Sequence, residues 1–143
     1  MKKIILLANI LFIVTIHNVQ SQQILGKWKA IDDETQKPRS IIEIYEKSGK
    51  IYGKVVEILE PGKENNLCTE CSGEDKNKPI LGMVILKGLQ KDKQEYSGGF
   101  ITDPATGKKY KCTISLEAKN ILKVRGYIGF SLIGRTQYWQ RAR

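Results

Sequence analysis

From residue 25 almost to the C-terminus, apolar and polar residues alternate with a period of two, in runs that recur about every ten residues and end at turn-forming residues. Successive side chains of a strand point to opposite faces, whereas a helical face needs repeats at three and four residues, which are hard to find here. Such a pattern specifies an all-β sandwich or barrel. Strands are expected near 25–32, 40–47, 50–59, 82–88, 94–102, 109–117, 121–128 and 132–142. About eight strands joined in sequence suit a single small antiparallel up-and-down barrel.

The joints have their own chemistry. Ser48-Gly49 links the second and third strands tightly, and Asp103-Pro104-Ala105-Thr106-Gly107 links the fifth and sixth, with proline fixing one φ and glycine supplying a positive one. Glu117-Ala118-Lys119-Asn120 relies on the tolerance of asparagine for the left-handed region. Alternation then assigns faces: Tyr110, Cys112, Ile114 and Leu116 inward on the sixth strand, and Leu122, Val124, Gly126 and Ile128 inward on the seventh, with Lys123, Arg125 and Tyr127 outside. The first strand sets Trp28 and Ala30 against Lys27, Lys29 and Ile31. On the last, Arg135, Gln137, Trp139 and Arg141 share a face that is a partner surface if outward and a barrel-end plug if inward. The segment 60–81 lacks alternation, and a loop of that length is functional, crosslinked or disordered.

The first residues follow a different rule. Lys2 and Lys3 precede an apolar run from Ile4 to Ile16, and Val19 and Ser21 place small residues at minus three and minus one before Gln22. This is the plan of a secretory signal peptide, 1–21, cleaved to leave one domain over 22–143. Thirteen residues fall short of the roughly 20 that span a bilayer, so no membrane-spanning segment is expected. No cysteine follows the run closely enough for lipidation, the first being Cys68. Removing two lysines and no acid takes the net charge from +9 to +7. The lysines alternate along strands and gather in turns, as on a solvated exterior, and export together with the lack of a stacking motif argues against nucleic acid.

Export also limits the chemistry. The single histidine, His17, lies in the expected signal peptide, so the mature chain has no Ser-His-Asp, Cys-His or His-metal arrangement. No Gly-x-Ser-x-Gly or phosphate-cradling loop is found, and no cofactor, metal or catalytic residue is assigned. Cys68-Thr69-Glu70-Cys71 and Cys112 admit three readings: a structural disulfide, a redox dithiol and a zinc site. Zinc lacks a fourth ligand unless Glu70, Glu74 or Asp75 joins, and a redox pair belongs at a helix N-terminus. An oxidising compartment favours the disulfide, Cys68 to Cys71, with Cys112 free and buried. Asp32-Asp33-Glu34 reads as a solvated turn, and Asp103 as a turn residue capping backbone N–H groups.

In order, the motifs are Gly26-Lys27-Trp28, Ile51-Tyr52-Gly53-Lys54, the cysteine pair with Lys78-Pro79-Ile80-Leu81-Gly82, Gly98 to Pro104, Gly107-Lys108-Lys109-Tyr110, Leu122 to Gly129 and Gly134 to Arg141. This succession resembles the bacterial family called domain of unknown function 2147 across essentially the whole mature chain. The resemblance implies an exported protein of a Gram-negative bacterium, periplasmic or secreted. Gly26-x-Trp28 with an arginine near the chain end is similar to the lipocalin-like (calycin) barrels, in which a guanidinium covers the indole and closes one end. Here the closing set would be Gly26, Trp28, Arg135, Trp139 and Arg141, with either Arg141 or Arg135 over the ring.

Three functions follow. The first is a non-enzymatic barrel that binds a small, lipophilic molecule against inward residues such as Trp28, Tyr110, Val124 and Ile128. The second is an envelope-associated protein whose basic outer face, including Lys123 and Arg125, binds an anionic polymer or a protein. Catalysis comes third, because histidine and paired acids are missing.

Overall fold

A computed structural model of the chain describes residues 23–130 and 132–143. The expected signal peptide, 1–21, lies outside the described residues. Eight strands follow in sequence: β1 (Gly26–Ile31), β2 (Pro38–Lys47), β3 (Lys50–Ile58), β4 (Val84–Asp92), β5 (Glu95–Thr102), β6 (Lys109–Ala118), β7 (Ile121–Tyr127) and β8 (Gly134–Arg141). Each pairs antiparallel with the next, and β8 returns to β1 through Trp28 opposite Arg141 and Lys29 opposite Gln140. The sheet is thus a closed up-and-down barrel with no free edge to recruit another chain.

Because every strand reverses direction, the β1–β2, β3–β4, β5–β6 and β7–β8 connections emerge at one end. The β2–β3, β4–β5 and β6–β7 turns and both described termini gather at the other. The turns at this second end are tight; β2–β3 and β4–β5 use positive φ at Ser48, Gly49 and Lys93, whereas Asn120 in the β6–β7 turn does not take the left-handed conformation expected of it. The connections at the first end are long, above all β3–β4, which contains a single 3₁₀ turn at Gly73–Asp75.

Two boundaries depart from the alternation pattern for local reasons. The fourth strand starts at Val84 and runs on to Asp92, because Gly88 takes a positive φ of 75° inside it without ending it, while Gly82 at 89° belongs to the loop. Ile31, expected outside, is buried, because a bulge between Ala30 and Ile31 rotates the end of β1 by one residue.

The barrel is filled in its lower half. Trp28, Ile42, Ile44, Ile51, Leu86, Leu89, Cys112, Ile114 and Leu122 have essentially no exposure and form one continuous cluster. At the closed end the Trp28 indole is fully buried, its N–H donating to the Ile24 carbonyl at 2.8 Å, and the Arg141 guanidinium lies 4.2 Å from the ring centroid. Gly26 sits beside this guanidinium at a φ of 113°, a conformation that disfavours any residue with a Cβ.

A disulfide joins Cys68 to Cys71, with Cα atoms 5.3 Å apart, and Cys112 is free and buried. Burial pushes the Cys112 thiol up to about 12, so it behaves as a small hydrophobe on the inner face of β6. The disulfide loop rests on the β5–β6 turn. The Cys68 sulfur lies 3.3 Å from the Pro104 carbonyl, and a Cβ at Gly107 would meet the Glu70 carbonyl oxygen at 1.9 Å. The longest connection is therefore fastened against its neighbour where it borders the barrel opening.

Candidate functional site

Above the filled half, the barrel opens into a cavity of about 440 Å³ between the four long connections. This falls in the usual range for small-molecule sites, about 300–1,000 Å³. Its wall is mainly apolar: Ala30, Val55, Ile58, Ile80, Ile85, Ile101 and Val124, with the Tyr110 and Trp139 rings and the bare backbone of Gly126, interrupted by Ser40, Thr102 and Gln137. Gly126 leaves space here, since a Cβ would come within 3.3 Å of the Tyr110 Cβ.

The rim, by contrast, is charged and internally paired. Arg39 donates to Glu60 at 3.2 Å and lies 3.9 Å from Asp32, while Lys63 meets the second Glu60 oxygen at 3.0 Å. On the other flank of the same β1–β2 turn Arg135 grips Asp33 through two hydrogen bonds, Nε to Oδ2 at 3.0 Å and Nη2 to Oδ1 at 2.6 Å. From there a polar chain descends the inner face of β8. Gln137 donates to Asp33 at 3.1 Å, and the Trp139 indole N–H donates to the Gln137 side-chain oxygen at 3.0 Å. Trp139, 2 % exposed, thus has its ring among apolar neighbours and its N–H satisfied.

The last-strand row therefore faces inward. Its members divide between two tasks: Arg141 covers Trp28 at the closed end, whereas Arg135, also a candidate for that place, sits at the mouth on Asp33. Among the expected ligand contacts, Tyr110 and Val124 lie on the cavity wall. Trp28 does not. It is sealed beneath the core. Ile128, expected inside, lies beyond the end of β7 and is 61 % exposed at the cavity edge.

The acidic turn corrects a second expectation. Asp32 behaves as a turn residue, accepting from the Glu34 and Thr35 amides, and Asp103 likewise accepts from the Ala105 amide. Asp33, still partly exposed, is engaged by Arg135, because barrel closure sets the β1–β2 turn next to β8, 102 residues away in sequence. Alternation along β3 puts Val55 inside with Ile51 and so marks a wall residue, and Ile101 faces inward opposite Leu86, but Ile85 is buried beside Leu86 on β4, which alternation does not foresee. Nothing local marks the Asp33–Arg135 pair. Among the described residues no group of His, Cys, Asp and Glu is arranged to hold a metal ion.

Hydrogen bonds from Arg135 hold the Asp33 carboxyl below its ordinary value of 3.8. A carboxyl whose pKa is lower folded than unfolded contributes stability above the unfolded value and loses it as pH falls through the folded one. Asp33→Asn is accordingly expected to lower Tm slightly at neutral pH, by the equivalent of under about 1 kcal/mol for a partly exposed pair. The gap from the parent protein should close as the pH is taken below 3.8. A gap that widens in acid in thermal scans would contradict this pairing.

A family profile described as "Uncharacterized protein conserved in bacteria (DUF2147)" matches residues 26–141. Among solved structures, a Helicobacter pylori protein described as belonging to the lipocalin family superposes with a TM-score of 0.73 at 22 % identity, over 83 % of this chain and 82 % of that one. At that identity the likeness shows the fold: a lipocalin-like barrel. No curated protein matches the sequence.

Proposed function

The chain belongs to the bacterial family DUF2147, and from that membership together with its half-open barrel we propose that it is an exported, non-enzymatic carrier of one small lipophilic molecule. The observation that carries this reading is the division of the barrel interior. Below, buried side chains form one continuous cluster; above, about 440 Å³ is left open and walled mainly by apolar groups. A barrel that only had to be stable would gain from filling that space, since each buried methylene contributes about 0.8 kcal/mol. The charged rim suits a molecule with a polar end, and pairing of Arg39, Lys63 and Arg135 with Glu60, Asp32 and Asp33 leaves these cations engaged beside an apolar tail.

The lipocalin-like fold supports the same reading, and the signal-peptide pattern is in keeping with a working protein in the periplasm or outside the cell. The test uses mature protein exported by a Gram-negative host and beginning at Gln22. Native mass spectrometry is expected to find one small molecule retained. After its removal, the lipophilic probe 1-aminoanthracene is expected to bind one per barrel and to fluoresce. Protein that carries nothing and leaves the probe dark would exclude the proposal.

A further inference from the structure

The β7–β8 connection is built unlike the other loops of the mouth. Ile128, Phe130, Leu132 and Ile133 are 61, 80, 90 and 66 % exposed, the largest concentration of exposed apolar side chains among the described residues. They are not loosely strung: the Ile128 amide donates to the Ile133 carbonyl at 3.1 Å, and the Ile133 amide to the Phe130 carbonyl at 3.1 Å. A short hydrogen-bonded hairpin tip thus holds large apolar groups in water. Exposed apolar clusters of this kind mark an interaction surface.

The chemistry of the partner is written on the adjoining wall. Below the tip, the outer faces of β6 and β7 carry Lys109, Lys111, Lys123 and Arg125. Across β6, β7 and β8 the one acid is Glu117, at the far end of β6. Aromatic rings are set among these cations in register: Phe100 opposite Lys111, Lys111 opposite Tyr127, and Lys123 opposite Tyr138. Phe100 and Tyr138 are each about half exposed. Of the acids on the neighbouring turns, Asp33 and Glu34 are engaged by Arg135, and Asp103 accepts from the Ala105 amide.

Apolar tips, a belt of tyrosine and phenylalanine, and a cationic wall whose single acid lies at its far end are the composition of a surface that lies in a lipid headgroup layer. We infer that the β7–β8 tip and the outer wall of β6–β8 dock this protein on an anionic bilayer, with Phe130 and Leu132 entering the headgroup region. Ile128 and Ile133 are shared between the tip and the cavity edge, so the docked barrel presents its opening to the lipid. This goes beyond the carrier reading and stands without it: a barrel that takes up no molecule would still dock.

The experiment is flotation of mature protein with phosphatidylcholine vesicles, with and without phosphatidylglycerol. Binding is expected to the anionic vesicles, to weaken as salt rises, and to fall about tenfold or more in the double variant Phe130→Ser, Leu132→Ser. Lys111→Ala and Lys123→Ala should each weaken it severalfold on anionic vesicles. Phe130 and Leu132 are absent from the cavity wall, so the double variant should keep its circular dichroism and its 1-aminoanthracene binding. The inference is overturned if anionic vesicles are not bound, or if the double variant binds them as well as the parent. Sedimentation showing a dimer that the double variant dissolves would assign the tip to a second copy instead.

Discussion

Replacing Trp28 by alanine is expected to lower stability by about 3–5 kcal/mol, the usual cost of deleting a large ring from a packed core. For a domain of this size that corresponds to a drop of roughly 10–20 °C in Tm, read by thermal denaturation followed by circular dichroism. The ring has no exposure, and three separate terms meet on it. Its edge packs on the lower core, its N–H is tied to Ile24, and its face carries Arg141. Arg141 adds more than charge. Its guanidinium donates to the carbonyls of Leu25, Lys119 and Gln23, so it sews the N-terminal segment and the β6–β7 turn onto the last strand.

Arg141→Ala should therefore cost less than the tryptophan but more than an ordinary surface arginine, about 1–3 kcal/mol from the cation–π contact and the lost carbonyl partners. Arg135→Ala supplies the internal control. That side chain stands 57 % exposed on Asp33 at the opposite end, and its loss should change stability by less than about 1 kcal/mol. Equal losses for the two arginines would mean that the closed end is not held by the Trp28–Arg141 contact.

The fold was legible because its determinants are local and repeated. Period-two alternation places Cys112, Ile114, Leu122 and Val124 inside without any knowledge of pairing, and the short turns between strands leave little choice of partner. Gly26 with Trp28 was readable as a motif, through its similarity to barrels whose first strand opens in this way, and the φ of 113° at Gly26 gives the physical reason for the glycine. Legibility stopped where a residue's surroundings come from distant chain. Ile31 was misplaced by a bulge, which shifts the pleat by one residue and has no composition of its own. Arg135 and Arg141 are equivalent by alternation, six residues apart on one face, and only their height in the closed barrel separates a mouth residue from an end cover. Asp33 looked like one more acid in a polar turn, since β8 reaches it only when the sheet closes. The cavity itself is a difference between the volume enclosed and the volume filled, and the residues on its wall are of the same types as those that fill the lower half.

That difference can be removed by design, which gives the sharpest test of what the open half is for. Ala30 and Val124 both lie on the cavity wall, on β1 and β7. Converting both to phenylalanine directs two rings into about 440 Å³ of free space rather than into packed core. Overpacking a filled interior costs about 1–3 kcal/mol, but rings that find room recover apolar burial, so stability should change by less than about 1.5 kcal/mol. Affinity for 1-aminoanthracene, in contrast, should fall about tenfold or more, equivalent to about 1.4 kcal/mol or greater, because the probe and the new rings compete for one volume. Stability and binding must therefore separate: a loss of both would mean that the upper barrel is packed more tightly than its geometry indicates. Unchanged probe binding with the rings in place would move the ligand site out of the barrel altogether.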